Sequence, residues 1–222
     1  VIKCVINFRF HLFRSNPDFP SSTSNVNASM EMKELEISYN TEYEMIVKST
    51  GRDIFERDPA VVVVAREKRY GVTVNNHTSL PLYPHLFYFD PSELSIKPWY
   101  LSATGTGTSI STHQTDAPLP ANSEFRIGYC GDGGVDPWEF MLREGESKDV
   151  GFFKLFVTTA PVSLKNIEQE CPYGDAPVKR AGRVSAPLSG PRLEVLGVWD
   201  VLVKTVVQHE IGTCDGQTSS KR

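Results

Sequence analysis

The chain contains 222 residues, of which 40% are hydrophobic and 23% are charged, as expected for a globular protein with one core. A formal net charge of −4 offers no basic footprint for nucleic acid, so we expect no nucleic-acid partner. No stretch approaches the roughly 20 apolar residues that cross a bilayer, so we predict no transmembrane segment.

The N-terminal residues alternate between apolar and polar side chains. This period predicts a half-buried strand over residues 2–12, with His11 on its solvent-facing side. The same segment has polar residues throughout and lacks a small-residue cleavage site, so we expect no signal peptide and a cytoplasmic location, with secretion as the alternative. The alternative to a strand is a helix with one apolar face, formed by Ile2, Ile6, Phe10 and Phe13.

Three features precede the centre of the chain. Residues 15–29 are rich in Ser, Asn and Pro and are predicted to form a loop. Leu35, Ile37 and Tyr39 alternate with polar residues, which predicts a second strand. The β-branched run of valines at 61–64 predicts a strand that is buried on both faces.

The central stretch, residues 70–159, has the clearest strand patterns. It starts with an alternating segment at 70–74, continues with a turn-forming cluster at 75–79 and reaches an aromatic run at 86–89, which together predict a hairpin entering a packed sheet. Pro98 would end the next strand or confine it to a sheet edge. Further strands are predicted near 94–96, 125–129, 138–142, 150–158 and 195–207, and a brief helical turn within 161–167.

About eight or nine short strands, with turn signals about every ten residues, predict an all-β fold. We expect an antiparallel β-sandwich with long polar loops, and a β-barrel is the alternative. Parallel pairing is not expected, because the sequence lacks clear crossover segments. Residues 1–69 are expected to supply strands and loops that pack on a β-sandwich module at 70–208, and residues 209–222 a flexible tail.

Candidate catalytic chemistry is sparse. A Cys–His nucleophile would require His85, His113 or His209 to meet Cys130 or Cys214 in space, and nothing in the sequence enforces this. The absence of a CxxC pair argues against zinc and favours reduced thiols over two disulfides. The four cysteines are Cys4, Cys130, Cys171 and Cys214.

Two further motifs have structural explanations. Asp132 and Asp136 flank a glycine-rich segment that lacks the oxygen spacing of a calcium loop, so we predict a turn. Sequons at Asn27 and Asn76 would matter only in a secreted chain. We therefore predict no catalytic residue, no metal site and no cofactor.

Aromatic residues are the best candidates for a binding site. They are concentrated in the central stretch, where alternating strand positions should bury most of them. Trp99 and Tyr100 follow Pro98 and precede a long loop, so they are less obviously core; with Tyr88 they are the candidate binding residues. Packing in the core or at its rim is favoured for this pair, and the alternative is an exposed aromatic edge that would bind a sugar or a protein.

Several strings together resemble a known family. They include YGVTVNNHTSLPLYPHLFYFDPSELSI, the later FRIGY and FMLR, and DVGFFKLFVTT near the end of the central stretch. Over residues 70–208 the chain is similar to the C-terminal β module of fungal, mushroom-type caspase-like proteins, which begin with an ICE-like p20 domain. Where this chain reads Cys130-Gly-Asp-Gly-Gly, the related modules tend to read Gly-Ser-Gly-Gly, which argues against a nucleophile or calcium site at that turn.

The resemblance implies a non-catalytic module, because the protease motifs of that family lie upstream of it. We expect such a module to bind a protein or another ligand beside a catalytic domain. One alternative is a carbohydrate-binding or membrane-damaging β protein, and another is a hydrolase with a spatially assembled site. The sequence does not indicate an oligomeric state.

Overall fold

A computed structural model of the chain describes residues 1–16, 27–103, 117–130, 134–173 and 199–210. The described residues form one α-helix, two 3₁₀ turns and nine strands. The helix and turns are α1 (Ile2–Phe13), η1 (Ile54–Glu56) and η2 (Lys165–Ile167). The strands are β1 (Ala28–Tyr39), β2 (Met45–Thr50), β3 (Ala60–Val63), β4 (Arg69–Asn76), β5 (Tyr83–Asp90), β6 (Ser95–Leu101), β7 (Glu124–Ile127), β8 (Lys148–Thr158) and β9 (Trp199–His209).

The strands form two sheets. Sheet A has the order β2-β1-β4-β7 and sheet B the order β3-β9-β8-β5-β6. One apolar cluster lies between them, combining side chains such as Met32 and Val72 of sheet A with Leu86, Phe153 and Leu155 of sheet B. This arrangement confirms the predicted all-β fold.

A third layer covers the outer face of sheet B. Phe87 and Phe89 point away from sheet A and pack in a second apolar cluster with Phe8 and Leu12 of α1 and Ile167 of η2. Both faces of β5 and β8 are therefore buried. Successive side chains point to opposite faces, so buried residues occur at nearly every position of these strands. The predictions of the apolar strand at 150–158 and of a helical turn within 161–167 are confirmed.

The strand predicted over residues 2–12 is wrong, because this segment is the helix α1. The apolar residues of this segment fit both the spacing of two that is typical of a strand and the spacing of four that is typical of a helix. The surface against which they pack selects the helix. Phe8 and Leu12 are one helical turn apart and both bury against sheet B. His11 was expected to face solvent, yet it is buried on the same side of α1.

A buried lysine holds the C-terminal end of α1. Lys154 of β8 is 1% exposed, and its Nζ donates hydrogen bonds to the backbone carbonyl oxygens of His11, Leu12 and Arg14 at 2.9, 2.8 and 2.6 Å. The helix ends here, so no later backbone N–H of the helix donates to these carbonyl oxygens. The ammonium group donates to them instead, and its charge complements the negative end of the helix dipole. Burial, reinforced by Arg14, lowers the pKa of Lys154 to about 7.

Strand β3 differs from its prediction in burial. Ala60 and Val62 are buried, whereas Val61 and Val63 are 63% and 50% exposed. Only one face of β3 is covered, because the helix layer on the outer face of sheet B packs on β5 and β8 and does not reach β3. It also pairs in parallel with β9, from Ala60 with Val206 onward, which corrects the expectation of purely antiparallel pairing. The crossover is the whole chain between the two strands rather than a single helix.

The predicted central hairpin is also wrong, because β4 belongs to sheet A and β5 to sheet B. The connection between them is fixed by Asn76, whose Nδ2 donates to the carbonyl oxygens of Leu80 and Pro120, each at 2.8 Å. Asn76 is buried, so its amide is not available for a glycan in the folded domain. Asn27, the other sequon residue, is exposed.

Two smaller predictions have opposite outcomes. Pro98 lies in β6, the edge strand of sheet B, as expected, and the β5–β6 register shifts beside it. The strand predicted at 138–142 is absent, and only an isolated bridge joins Trp138 to Tyr70.

The first 69 residues contribute β1, β2 and β3, so they form part of both sheets. The predicted tail lies outside the described residues after Glu210.

Candidate functional site: an aromatic cleft at one end of the sandwich

A cleft of about 550 Å³ opens where the 134–143 segment crosses the end of the sandwich. Its walls come from β5, β6, the start of β8 and the end of β9. The 134–143 segment carries Trp138, which is held in place by backbone hydrogen bonds in both directions with Tyr70 at 2.8 and 2.9 Å. This segment is not a regular strand, so it can project its side chains into the cleft. The volume is within the range of small-molecule and peptide sites.

The floor of the cleft is aromatic. Trp138 lies at its centre, with ring centroids 4.7 Å from Tyr88, 5.2 Å from Trp99 and 6.4 Å from Phe140. Phe153 of β8 supports the group from below, 5.2 Å from Trp138. The tilted and edge-on geometries are the favoured ones for aromatic pairs, so the floor is rigid without a ligand.

Polar atoms in this floor are only partly satisfied. Trp99 Nε1 donates to the carbonyl oxygen of Asp136 at 3.0 Å, and Gln208 Nε2 donates to the Tyr88 hydroxyl at 3.0 Å. Burial raises the pKa of Tyr88, so its hydroxyl stays protonated. In contrast, Trp138 Nε1 and Gln208 Oε1 are buried without a hydrogen-bond partner in the described chain. Both atoms are closed off from solvent, so a ligand in the cleft would contact the aromatic side chains and the rim rather than these two atoms.

The rim of the cleft is mainly acidic. Two cations line it, and both are near carboxylates: Lys97 lies 3.6 Å from Glu93, and Arg143 lies 3.7 Å from Asp149. Burial, with a smaller contribution from the neighbouring Asp149, raises the pKa of Asp90. The carboxylates that line the cleft are Asp90, Glu93, Asp136, Glu139 and Asp149.

The structure brings two of the three predicted binding residues to this cleft. Trp99 and Tyr88 both line it, but they are only 9% and 7% exposed. Packing in the core or at its rim, which was favoured for Trp99, is therefore what the structure has, and the alternative of an exposed aromatic edge at this residue is wrong. Tyr100 does not line the cleft; its ring packs 4.9 Å from Phe125 of sheet A, and burial raises its pKa.

Sequence reasoning did not select Trp138 or Gln208 as site residues. Trp138 was assigned to a strand on apolar alternation, although Pro137 and the nearby glycines were signals of an irregular segment. Gln208 gave no signal, because a glutamine near the end of a strand usually faces solvent. Its burial results from β9 lying between β3 and β8.

The catalytic alternatives gain no geometric support from the described residues. Partial desolvation, with Asp136 nearby, raises the pKa of the Cys130 thiol, which opposes thiolate formation. His85 is completely buried, and burial lowers its pKa to about 4, so it cannot reach an external substrate. Cys4, Cys130 and Cys171 are unpaired thiols; Cys214, His113 and Asp132 lie outside the described residues. In the described ranges no three His, Cys, Asp or Glu residues are grouped to hold a metal.

No family model, curated protein or solved structure matches this chain. The cleft itself therefore carries the functional argument. Within the part of the chain that the structure describes, no helix is long and apolar enough to span a membrane.

Proposed function

We propose that this chain is a non-catalytic binding module whose ligand occupies the aromatic cleft. The observation that carries this proposal is a cleft of about 550 Å³ with an aromatic floor centred on Trp138 and five carboxylate residues in its lining. The resemblance of residues 70–208 to the C-terminal module of fungal caspase-like proteins supports an accessory role beside a catalytic domain.

The ligand that best fits the cleft is a polypeptide segment with a cationic side chain. The N–H and C=O groups of its backbone would donate to and accept from polar groups on the rim. The acidic rim attracts a lysine or arginine, and the face of Trp138 is the aromatic surface that such a cation prefers. Binding should therefore weaken as salt concentration increases.

A glycan is the second candidate, because sugar hydroxyls also act as donor and acceptor at once. Carboxylates such as Asp136 and Glu139 would accept hydrogen bonds from those hydroxyls, and a sugar ring would stack on the half-buried Trp138. A neutral glycan would bind with little salt dependence, which separates it from a cationic peptide.

Trp138→Ala tests the proposal. We expect the chain to bind members of a basic peptide library or of a glycan array, and the variant to bind about tenfold or more weakly, because it loses the centre of the aromatic floor. Tyr43→Ala is the matched control, since Tyr43 is an exposed aromatic residue on the β1–β2 turn far from the cleft. Near-UV circular dichroism of both variants checks that the fold is retained.

The proposal fails if the intact chain binds neither library, or if Trp138→Ala binds as tightly as the Tyr43→Ala control. Stoichiometric labelling of Cys130 by a thiol-directed activity probe would contradict the non-catalytic part. The family part has a separate test, which is to sequence the full transcript and determine whether it encodes a caspase-like domain upstream of Val1.

A further inference from the structure

Helix α1 carries an apolar stripe on the side that faces away from sheet B. Ile2 and Phe13, at its two ends, are 78% and 70% exposed, and Ile6 and Phe10 between them are also exposed. The spacing of four, four and three residues places them in one row along the helix, about 16 Å long at 1.5 Å per residue. Burying a row of large apolar side chains is normally favourable, so this exposed row requires an explanation.

The stripe cannot rotate inward, because α1 is fixed on sheet B. Lys154 Nζ holds the last carbonyls of the helix, as described above. Near the other end, Gln169 Nε2 donates to the carbonyl oxygen of Cys4 at 3.1 Å, and Asn7 Nδ2 donates to Gln169 Oε1 at 2.9 Å. The opposite side of the helix is already buried through Phe8 and Leu12.

The charged side chains on α1 and its flanking residues are all positive, whereas Glu168 and Glu170 lie beside Gln169 on the segment that contacts the helix. Residues 1–16 contain Lys3, Arg9 and Arg14 and no aspartate or glutamate, although the whole chain has a net charge of −4. The Arg9 guanidinium lies 5.9 Å from the centre of the Phe13 ring, and that of Arg14 lies 5.6 Å from the Phe10 ring. The cations therefore lie at the flank of the apolar stripe.

We propose that α1 docks this protein on the surface of a membrane that contains anionic lipids. In such a complex Ile2, Ile6, Phe10 and Phe13 enter the boundary between headgroups and acyl chains, while Lys3 and Arg9 contact the anionic headgroups. A lipid surface fits this feature because α1 is a ridge on the outside of a sheet, and lipids adapt to a ridge. The inference is independent of the aromatic cleft, which is lined by other elements.

Vesicle flotation with the full chain tests this proposal. We expect the protein to float with vesicles of phosphatidylcholine and phosphatidylserine and to stay at the bottom with phosphatidylcholine alone. Ile2→Ser/Phe13→Ser should reduce the floated fraction about tenfold, because it removes the two most exposed members of the stripe. Lys3→Glu/Arg9→Glu should do the same, and added salt should weaken binding of the intact chain.

Two variants of exposed residues elsewhere serve as controls: Tyr43→Ser for lost apolar surface and Lys48→Glu for changed charge. Both should float as the intact chain does. The proposal is overturned if the chain does not float with phosphatidylserine vesicles, if it floats equally with phosphatidylcholine alone, or if the controls lose binding as strongly as the α1 variants. It is also overturned if sedimentation shows a dimer that Ile2→Ser/Phe13→Ser dissociates, because a second copy would then cover the stripe.

Discussion

Lys154 is the residue on which the position of α1 depends most. Replacing it with Met keeps the apolar stem but leaves the carbonyl oxygens of His11, Leu12 and Arg14 without their donor in a buried place. We expect Lys154→Met to lower the free energy of unfolding by about 3 kcal/mol, measured by urea denaturation. Amide exchange in residues 2–13 should accelerate more than exchange in β5. Unchanged exchange in α1 would contradict the capping role.

Gly151 is required because Tyr88 crosses directly over it. A β-carbon at this position would overlap the hydroxyl and ring of Tyr88, which also lines the cleft and accepts from Gln208. We expect Gly151→Ala to destabilise the fold by about 2 kcal/mol in thermal or urea unfolding. Because the nearest contact is the hydroxyl, Tyr88→Phe/Gly151→Ala should show a smaller combined loss than the sum of the two single changes. Simple additivity would count against this contact.

At the scale of elements, the layer that covers each face of a strand decides how much a residue on that face contributes to stability. Val62 of β3 is buried under the sheet, whereas Val61 faces solvent on the same strand. Val62→Ala should lower the free energy of unfolding by about 2 kcal/mol through the lost methyl groups and the cavity, while Val61→Thr should change it by less than about 0.5 kcal/mol. Equal effects of the two changes in urea denaturation would mean that both faces of β3 are covered.

The same element shows why parts of the sequence predicted structure and others did not. The alternation in β1 is typical of a strand covered on one face, and the apolar run in β8 is typical of a strand covered on both faces. Both strands were predicted from these patterns. Four consecutive valines would suit a strand buried on both faces, but coverage of β3 depends on which layer lies above it, and α1 covers β5 and β8 instead. Similarly, Phe8 and Leu12 fit either period, and only the outer face of sheet B selects the helix.

The candidate site was predicted only in part, for a related reason. Tyr88 and Trp99 were selected because aromatic residues cluster in the central stretch, and they do reach the cleft. Trp138 and Gln208 come from an irregular segment and from the last described strand. Their meeting is a consequence of sheet order, which no local pattern encodes.

At the scale of the whole molecule, two buried imidazoles should make stability depend on pH. Burial lowers the pKa of both His11 and His85 to about 4, and Arg14 and Lys154 contribute at His11. The folded state therefore resists protonation, whereas the unfolded chain binds protons near pH 6.5. The stability that the two imidazoles contribute is fully present above pH 6.5 and is lost as the pH falls towards 4, by up to about 1.4 kcal/mol per pH unit for each imidazole.

Urea denaturation at several values between pH 4 and 7 measures this slope. His85→Leu should reduce it by about half, since neither ring nitrogen of His85 has a hydrogen-bond partner to lose in the described chain. His77→Leu is the control, because His77 is exposed on the β4–β5 connection. A slope that is the same in both variants would contradict a buried neutral His85.

The parallel pairing of β3 with β9 has a consequence for synthesis on the ribosome. Sheet A uses only strands from Ala28 to Ile127, so its pairing can be complete while the rest of the chain is still being translated. Sheet B cannot close in this way, because β9 separates β3 from β8 and is the last of the described strands along the chain. Until residues 199–209 have emerged, the valines of β3 and one edge of β8 lack their partners. We therefore expect the nascent chain to be most prone to aggregation late in translation, after most of the core residues in the described strands have been made.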